Sequence, residues 1–167
     1  MTVDKFYTPE KAVNILLKYI SIEGSIFEPC CGNGAISNQL ETSYSTVETN
    51  DIDPEIKSDY KFDASKEWCW SSKIWDWIIT NPPDTYAAKI LKYSYHHTRH
   101  GIAFNLPINF LEPCEDRKDF LFLFPISHLI VMPRMSYLEN NRKDRKTRAW
   151  FVWDKRTYKQ KITIVSE

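Results

Sequence analysis

The chain has 167 residues, of which 43% are hydrophobic and 26% are charged, as in an ordinary globular protein. With only 4 Gly and 9 Pro it is neither collagen-like nor compositionally disordered. No apolar run approaches the roughly 18 residues of a membrane span, and the N-terminus lacks the pattern of a secretory signal. We therefore expect a cytoplasmic protein that does not associate with membranes.

The charge is balanced overall but unevenly distributed. Lysine and arginine number 22, as do aspartate and glutamate, so the formal net charge is zero. Residues 1–133 carry 12 basic and 18 acidic side chains, whereas residues 134–167 carry 10 basic and 4 acidic ones. Such asymmetry between parts of a chain indicates a charged partner, and here it favours nucleic acid.

Short apolar strands alternate with helical segments along the chain. Helices are predicted at 9–20, 35–40, 87–95 and 115–124, and strands at 25–30, 45–50, 60–63, 75–80, 101–106, 128–132 and 149–153. Residues 161–165 are either an eighth strand or a tail. The alternation predicts an α/β fold with a mostly parallel sheet, in one domain over residues 1–167.

A glycine-containing turn follows the first strand, where α/β sheets bind ligands. Gly32 and Gly34 permit a tight turn and a close approach of backbone amides to a ligand. Ser37 breaks the dinucleotide-binding pattern, and no lysine follows as in a phosphate-binding loop. Because Glu28 would repel a phosphate, we expect a cationic or amine-bearing ligand.

Two further acids follow the next strands. Asp51 comes about 20 residues after the glycine turn, where an acid commonly holds ribose hydroxyls. Asp63 ends the predicted third strand, where its carboxylate is placed to accept a hydrogen bond from an adenine amine. Together they predict a pocket for a nucleoside that carries an amine and no phosphate, which matches S-adenosylmethionine.

The fourth predicted strand ends in Asn-Pro-Pro at residues 81–83, and with this motif the chain resembles a family. It resembles class I S-adenosylmethionine-dependent methyltransferases, most closely small phage-type members of the DNA adenine-N6 group. The matching segments are Phe-Tyr-Thr-Pro at 6–9, Phe-Glu-Pro at 27–29, Gly-Asn-Gly at 32–34, Asn-Asp-Ile-Asp-Pro at 50–54, Asp-Ala at 63–64 and Asn-Pro-Pro at 81–83.

The resemblance implies a Rossmann-like sheet of seven strands flanked by helices, with the last strand antiparallel. It implies a single methyltransferase domain without a separate target-recognition domain. It also implies that the protein acts in the cytoplasm of a bacterium or of a phage-infected host cell. The residues implied to bind the cofactor are Phe6, Tyr7, Thr8, Glu28, Cys30, Gly32, Gly34, Asp51, Ile52, Asp63, Ala64 and Asn81. No metal is expected.

The catalytic residues implied by the resemblance are Asn81, Pro82, Pro83 and Asp84. Asn81 and the Pro82 carbonyl would hold the target amine, favour its pyramidal geometry and stabilise the positive charge that develops on it. Asp84 departs from the family, which usually has a stacking aromatic residue there. Tyr86 could replace that aromatic; Asp84 could hydrogen-bond the substrate or cap the following helix.

A basic loop lies between the sixth and seventh predicted strands. Residues 134–148 include six basic and two acidic side chains, and such a loop can neutralise phosphates. We expect Tyr86 and the loop to bind substrate, the loop residues being Arg134, Arg142, Lys143, Arg145, Lys146 and Arg148. The recognised sequence would then be short and read by loops, or a partner protein would supply the specificity.

Three functional hypotheses remain open from the sequence. The first is methylation of adenine N6 in DNA. The second keeps the chemistry and changes the acceptor to RNA or to a protein glutamine side chain, because the Asn-Pro-Pro motif serves planar amines generally. The third is a non-catalytic, cofactor-binding partner subunit, in which Asp84 marks lost activity.

Overall fold

Seven strands form one mixed sheet in the computed structural model, which describes residues 7–41, 46–70, 72–137 and 146–166. The strand order is β2-β1-β3-β4-β6-β5-β7. The strands are β1 (Ile26–Glu28), β2 (Val47–Thr49), β3 (Trp75–Thr80), β4 (Thr98–Pro107), β5 (His128–Val131), β6 (Arg148–Asp154) and β7 (Lys161–Ile164). The helices are α1 (Glu10–Tyr19), α2 (Ser37–Leu40), α3 (Ala87–His96) and α4 (Lys118–Leu123).

The predicted fold class is confirmed, because the sheet is mostly parallel and carries one antiparallel strand. β6 is antiparallel to both of its neighbours, β4 and β5. The segment left open as a strand or a tail is β7, which pairs in parallel with β5 at the edge of the sheet. The antiparallel strand is therefore the penultimate one in the chain and not the last.

The predicted third strand at 60–63 is not a strand in the structure. Only one parallel bridge, between Asn50 and Tyr60, remains of the pairing expected there. The Asn50 side chain takes over the pairing, since it bonds both the amide and the carbonyl of Phe62. The chain segment thus follows the sheet edge without forming a ladder.

Alternate strand residues face two separate helical layers. Ile26, Trp77 and Ile79 pack with α1 on one face, whereas Phe27 and Ile78 pack with α3 on the other. Both sets are almost completely buried, as the period of two in a strand requires. Because both faces are covered, the central strands hold the carboxyl ends of β1, β3 and β4 in fixed positions at one edge.

The described residues include no helix long and apolar enough to cross a membrane.

Candidate active site

The glycine turn after β1 adopts a conformation that glycine favours. Gly32 and Gly34 have φ angles of +51° and +78°, in the left-handed region that side chains disfavour. A Cβ atom at Gly34 would also lie 3.1 Å from the Asn38 side chain. These residues let the chain turn directly above the carboxyl end of β1.

Asp51 holds this turn from the end of β2. One carboxylate oxygen of Asp51 accepts a hydrogen bond from the Gly32 amide at 2.8 Å. The other oxygen accepts one from the Asp53 amide at 2.9 Å. Since a carboxylate oxygen can accept more than one hydrogen bond, Asp51 can also bind ligand hydroxyls.

Asn50 joins three chain segments beneath the site. Its side chain is fully buried and donates to the carbonyls of Pro29, at 2.9 Å, and Phe62, at 3.0 Å, and accepts from the Phe62 amide, at 2.9 Å. Sequence reasoning gave Asn50 no role of its own. Nothing in the sequence singled it out, because the strand that precedes it, Val47–Thr49, is itself mostly polar.

Asp63 bends the following segment into the same site. Its carboxylate accepts hydrogen bonds from the Ser65 amide, at 2.9 Å, and the Ser65 hydroxyl, at 2.6 Å. The hydroxyl bond lowers the pKa of Asp63 below its usual value. The group is therefore a carboxylate at neutral pH, and it brings a second negative charge to the site.

These segments enclose a cleft with a volume of about 190 Å³. Five of the residues predicted to bind the cofactor line it, namely Cys30, Asp51, Ile52, Asp63 and Ala64, and so does Tyr86. The others are Pro29, Phe62, Ser65, Pro83 and Ile90. Sequence reasoning missed Phe62, Ser65 and Ile90 as part of the cleft, because nothing in their spacing shows that the chain folds back here.

The chemistry of this lining fits a nucleoside with a positive charge. Phe62, Pro83 and Ile90 supply apolar walls, and Asp51 and Asp63 supply carboxylates. Burial raises the pKa of the Cys30 thiol and keeps it protonated at neutral pH, so it is an uncharged part of the wall. Among the described residues, no three His, Cys, Asp or Glu side chains are grouped to hold a metal ion.

Glu28 lies behind the cleft and not among its lining residues. Its side chain is 1% exposed and accepts a hydrogen bond from the Ser37 amide at 2.9 Å. Burial raises the pKa of Glu28 well above its ordinary value. In this position Glu28 supports the backbone that follows the glycine turn.

The segment before α1 lies against the glycine turn. A Cβ atom at Gly32 would meet the Tyr7 ring at 4.0 Å, and the Tyr7 amide donates to the Tyr137 carbonyl at 2.8 Å. Thr8 is buried. Phe6 lies outside the described residues. Tyr7 thus lies next to the glycine turn, but it is not among the residues that line the cleft.

The Asn-Pro-Pro motif connects the cleft with a second group of side chains. Pro82 is buried and Pro83 lines the cleft. The Asn81 Oδ1 atom accepts a hydrogen bond from Nη1 of Arg148 at 3.1 Å. Asn81, one of the two acceptors implied by the resemblance, therefore contacts the first residue of β6.

Asp84 takes part in the same group through ion pairs. Its carboxylate contacts Lys146 Nζ at 2.7 Å and Arg148 Nη2 at 3.3 Å. The N-cap of α3 is Tyr86, and no side chain caps this helix by a hydrogen bond. The carboxylate of Asp84 is therefore used for ion pairing and not for capping. Tyr86 is 48% exposed.

The basic loop is described only at its two ends. Arg134 and Lys146 are exposed, whereas the Arg148 side chain is only 6% exposed. Arg142, Lys143 and Arg145 lie outside the described residues. Arg148 therefore differs from Arg134 and Lys146, the other two described basic residues of the loop, since it points into the protein beside Asn81.

No protein-family model matches the chain, and no curated protein matches its sequence. Solved structures do match its fold. A protein described as a modification subunit of a type I restriction enzyme from Vibrio vulnificus has a TM-score of 0.71 and 11% identity, over 98% of this chain and 48% of that one. A protein described as a class I S-adenosylmethionine-dependent methyltransferase from Listeria monocytogenes gives 0.69 and 16%, over 100% and 68%.

The M protein of the type I restriction enzyme EcoKI matches with a TM-score of 0.67 and 10% identity, over 92% of this chain and 45% of that protein. This chain thus spans about half the length of the two restriction-enzyme subunits. Identities this low show the fold alone. The fold is the Rossmann-like fold of class I methyltransferases, which agrees with the strand order and with the cleft at the carboxyl ends of β1 to β3.

Proposed function

We propose that the chain transfers a methyl group from S-adenosylmethionine to the exocyclic N6 amine of adenine in DNA. One observation carries the proposal. The Asn-Pro-Pro motif lies between the cleft that Asp51 and Asp63 line and the side chain of Arg148: Pro83 lines the cleft, and Asn81 contacts Arg148. A nucleoside cofactor on one side of this motif and a nucleic-acid base on the other would meet at Asn81.

S-adenosylmethionine is the cofactor expected in the cleft. Asp51 is placed to accept hydrogen bonds from ribose hydroxyls, and Asp63 from an adenine amine. When bound, the cofactor supplies an electrophilic methyl group on a positively charged sulfur. The absence of lysine and arginine from the lining residues suits that charge.

The residues of the chain would activate the acceptor amine by orientation and electrostatics. The Asn81 Oδ1 atom and the Pro82 carbonyl would accept hydrogen bonds from the two amine hydrogens. The lone pair of an aromatic amine is delocalised into the ring, which makes the amine a poor nucleophile. The two hydrogen bonds would favour a pyramidal nitrogen, in which the lone pair is localised and available for methyl transfer. Two oxygen acceptors would also stabilise the positive charge that develops on nitrogen.

The basic residues support a nucleic acid as the acceptor. Arg134 and Lys146 are exposed at the two described ends of the loop that follows β5. A duplex would have to extrude the target base, which costs a few kcal/mol. Within the residues of this chain, a sequence preference would lie in the loops, or a partner protein would supply it.

The direct test is transfer of labelled methyl groups to duplex DNA, single-stranded DNA, RNA and a protein extract. We expect the label in DNA adenine, and we expect Asn81→Ala to abolish it. Asn14→Ala, on the exposed face of α1, is the matched control and retains activity. Label in RNA or protein alone would move the proposal to that acceptor.

Calorimetry separates cofactor binding from catalysis. Binding of S-adenosylmethionine without transfer to any acceptor would favour the non-catalytic partner subunit. The absence of binding to both the cofactor and its demethylated product would refute the proposed function as a whole.

The basic loop is tested by the salt dependence of DNA binding. Replacing Arg142, Lys143, Arg145 and Lys146 by alanine should weaken DNA binding and flatten its dependence on salt. An unchanged slope would show that the phosphate contacts lie elsewhere.

A further inference from the structure

We propose that Arg148 is a positioning residue for Asn81 and that Asp84 is its counter-ion, so that the pair replaces the aromatic residue expected at position 84. The proposal rests on the proposed function, because it assigns a role in presenting the acceptor amine. It is carried by the contacts of the Arg148 guanidinium with Asn81 and Asp84.

Arg148 decides which way the Asn81 side-chain amide faces. An arginine side chain has five N–H donors and no acceptor. The Asn81 atom that lies 3.1 Å from Arg148 Nη1 must therefore be the oxygen and not the nitrogen. Because an amide oxygen has two lone pairs, the second one remains for a hydrogen of the acceptor amine.

The guanidinium is held in place on several sides. Nη1 of Arg148 also donates to the Asn105 carbonyl at 3.2 Å. The guanidinium lies over the Tyr137 ring, with 5.1 Å between its central carbon and the ring centre. Arg148 begins β6 and is almost completely buried, so the Asn81 amide faces a fixed donor and not a mobile surface side chain.

A fixed cation beside Asn81 has a cost that Asp84 offsets. Methyl transfer places a positive charge on the acceptor nitrogen, close to the Asn81 oxygen. An unpaired guanidinium at this distance would oppose that charge, more strongly in a buried site than in water. The Asp84 carboxylate offsets this charge from a distance of 3.3 Å, and an aromatic residue at this position would remove that offset.

Lys146 links this pair to the solvent. Its ammonium contacts the other oxygen of Asp84 at 2.7 Å, and about half of its side chain is exposed. Lys146 contacts Asp84, whereas Arg148 contacts both Asp84 and Asn81. The inner pair therefore consists of Asp84 and Arg148, with Lys146 at its outer edge.

A double-mutant cycle tests the coupling between the two residues. The variants are Asp84→Asn, Arg148→Met and the double variant, with Arg148→Lys as the conservative change. Arg117→Met is the matched control, because Arg117 is also mostly buried, donates to carbonyls and lies over an aromatic ring, that of Phe110. Within the described part of the chain, the side-chain hydrogen bonds of Arg117 are with Phe110, Glu112, Cys114 and Asp116, and not with Asn81 or Asp84.

Two readouts are needed for each variant. The first is the NMR signal of the Asn81 side-chain NH2 group, assigned through Asn81→Gln. The second is the single-turnover rate of methyl transfer, measured with the KM for S-adenosylmethionine.

We expect Arg148→Met to shift the Asn81 signal and Arg117→Met to leave it in place. Asp84→Asn should lower the turnover rate by about 10- to 100-fold without changing the KM for the cofactor. The double variant should be faster than Asp84→Asn, because it removes the cation whose charge Asp84 no longer offsets. Arg148→Lys should recover part of the rate lost in Arg148→Met.

Either of two results would overturn the proposal: an Asn81 signal unaffected by Arg148→Met, or rate losses that simply multiply in the double variant. If Arg148→Met does not fold, Asp84→Asn still decides, since Asp84 is partly exposed: an unchanged turnover rate in Asp84→Asn would overturn the proposal. If the wild-type chain methylates no acceptor, the proposed function fails while the NMR result still decides whether Arg148 orients Asn81.

Discussion

Replacing Asn50 by leucine should destabilise the protein and weaken the cofactor site together. The Asn50 side chain satisfies three backbone groups, namely the carbonyls of Pro29 and Phe62 and the amide of Phe62. Leucine is of similar size but can neither donate nor accept a hydrogen bond. The three groups would then be left without their partner at the junction of β1, β2 and the segment that carries Asp63.

The size of the effect follows from the number of groups affected. A buried backbone group that loses its partner costs about 1–3 kcal/mol. Phe62 is only half-buried, so water can hydrogen-bond some of the groups that lose Asn50. The expected loss of unfolding free energy is therefore about 3–5 kcal/mol. At about 2–4 °C per kcal/mol for a chain of this size, the Tm should fall by roughly 10 °C.

Urea denaturation followed by circular dichroism measures the free energy of unfolding, and calorimetry measures the affinity for S-adenosylmethionine. Asn33→Leu is the matched control, because the Asn33 side chain is exposed where it bonds the Ala35 amide. Its expected change is within about 0.5 kcal/mol, as for most surface substitutions. A loss below about 1 kcal/mol for Asn50→Leu would refute the role assigned to the junction.

Two further predictions concern burial. Glu28→Gln should stabilise the protein at pH 8 and have less effect at pH 4. Burial raises the folded-state pKa of Glu28, so the stability that its protonated form contributes is lost as pH rises, whereas glutamine does not ionise. An equal effect at both pH values, by urea denaturation, would contradict this. Trp70→Ala should cost about 3–5 kcal/mol, whereas Trp68→Ala should cost little, because their side chains are 8% and 84% exposed; similar losses would show that the two environments are misassigned.

Much of the fold could be predicted from local pattern. The fourth predicted strand, at 75–80, coincides with β3, because a mostly apolar run that ends at Asn-Pro-Pro leaves little choice of structure. The helix predicted at 87–95 differs from α3 by one residue. The strand expected at 60–63 does not form, because the backbone amide and carbonyl of Phe62 are paired with the side chain of Asn50 and not with a neighbouring strand. Periodicity does not reveal such an interaction.

The residues of the cleft likewise divide into those that the sequence could place and those that it could not. Asp51 and the glycine turn could be placed from their positions after β2 and β1, since parallel strands end at one edge of the sheet. Asp63 lines the cleft, although the strand that it was expected to end does not form. Phe62, Ser65 and Ile90 could not be placed, because they reach the cleft through a bend after the sheet edge and through the position of α3.

The sequence by itself determined the α/β class, the strand ends that carry polar groups and the presence of Asn-Pro-Pro with an aspartate after it. Only the tertiary structure decided what that aspartate does. Asp84 and Arg148 are 64 positions apart, and they meet because β6 returns antiparallel beside β4 and starts at the edge where β3 ends. Local pattern contains no information about that pairing, since it depends on how distant strands are ordered in the sheet.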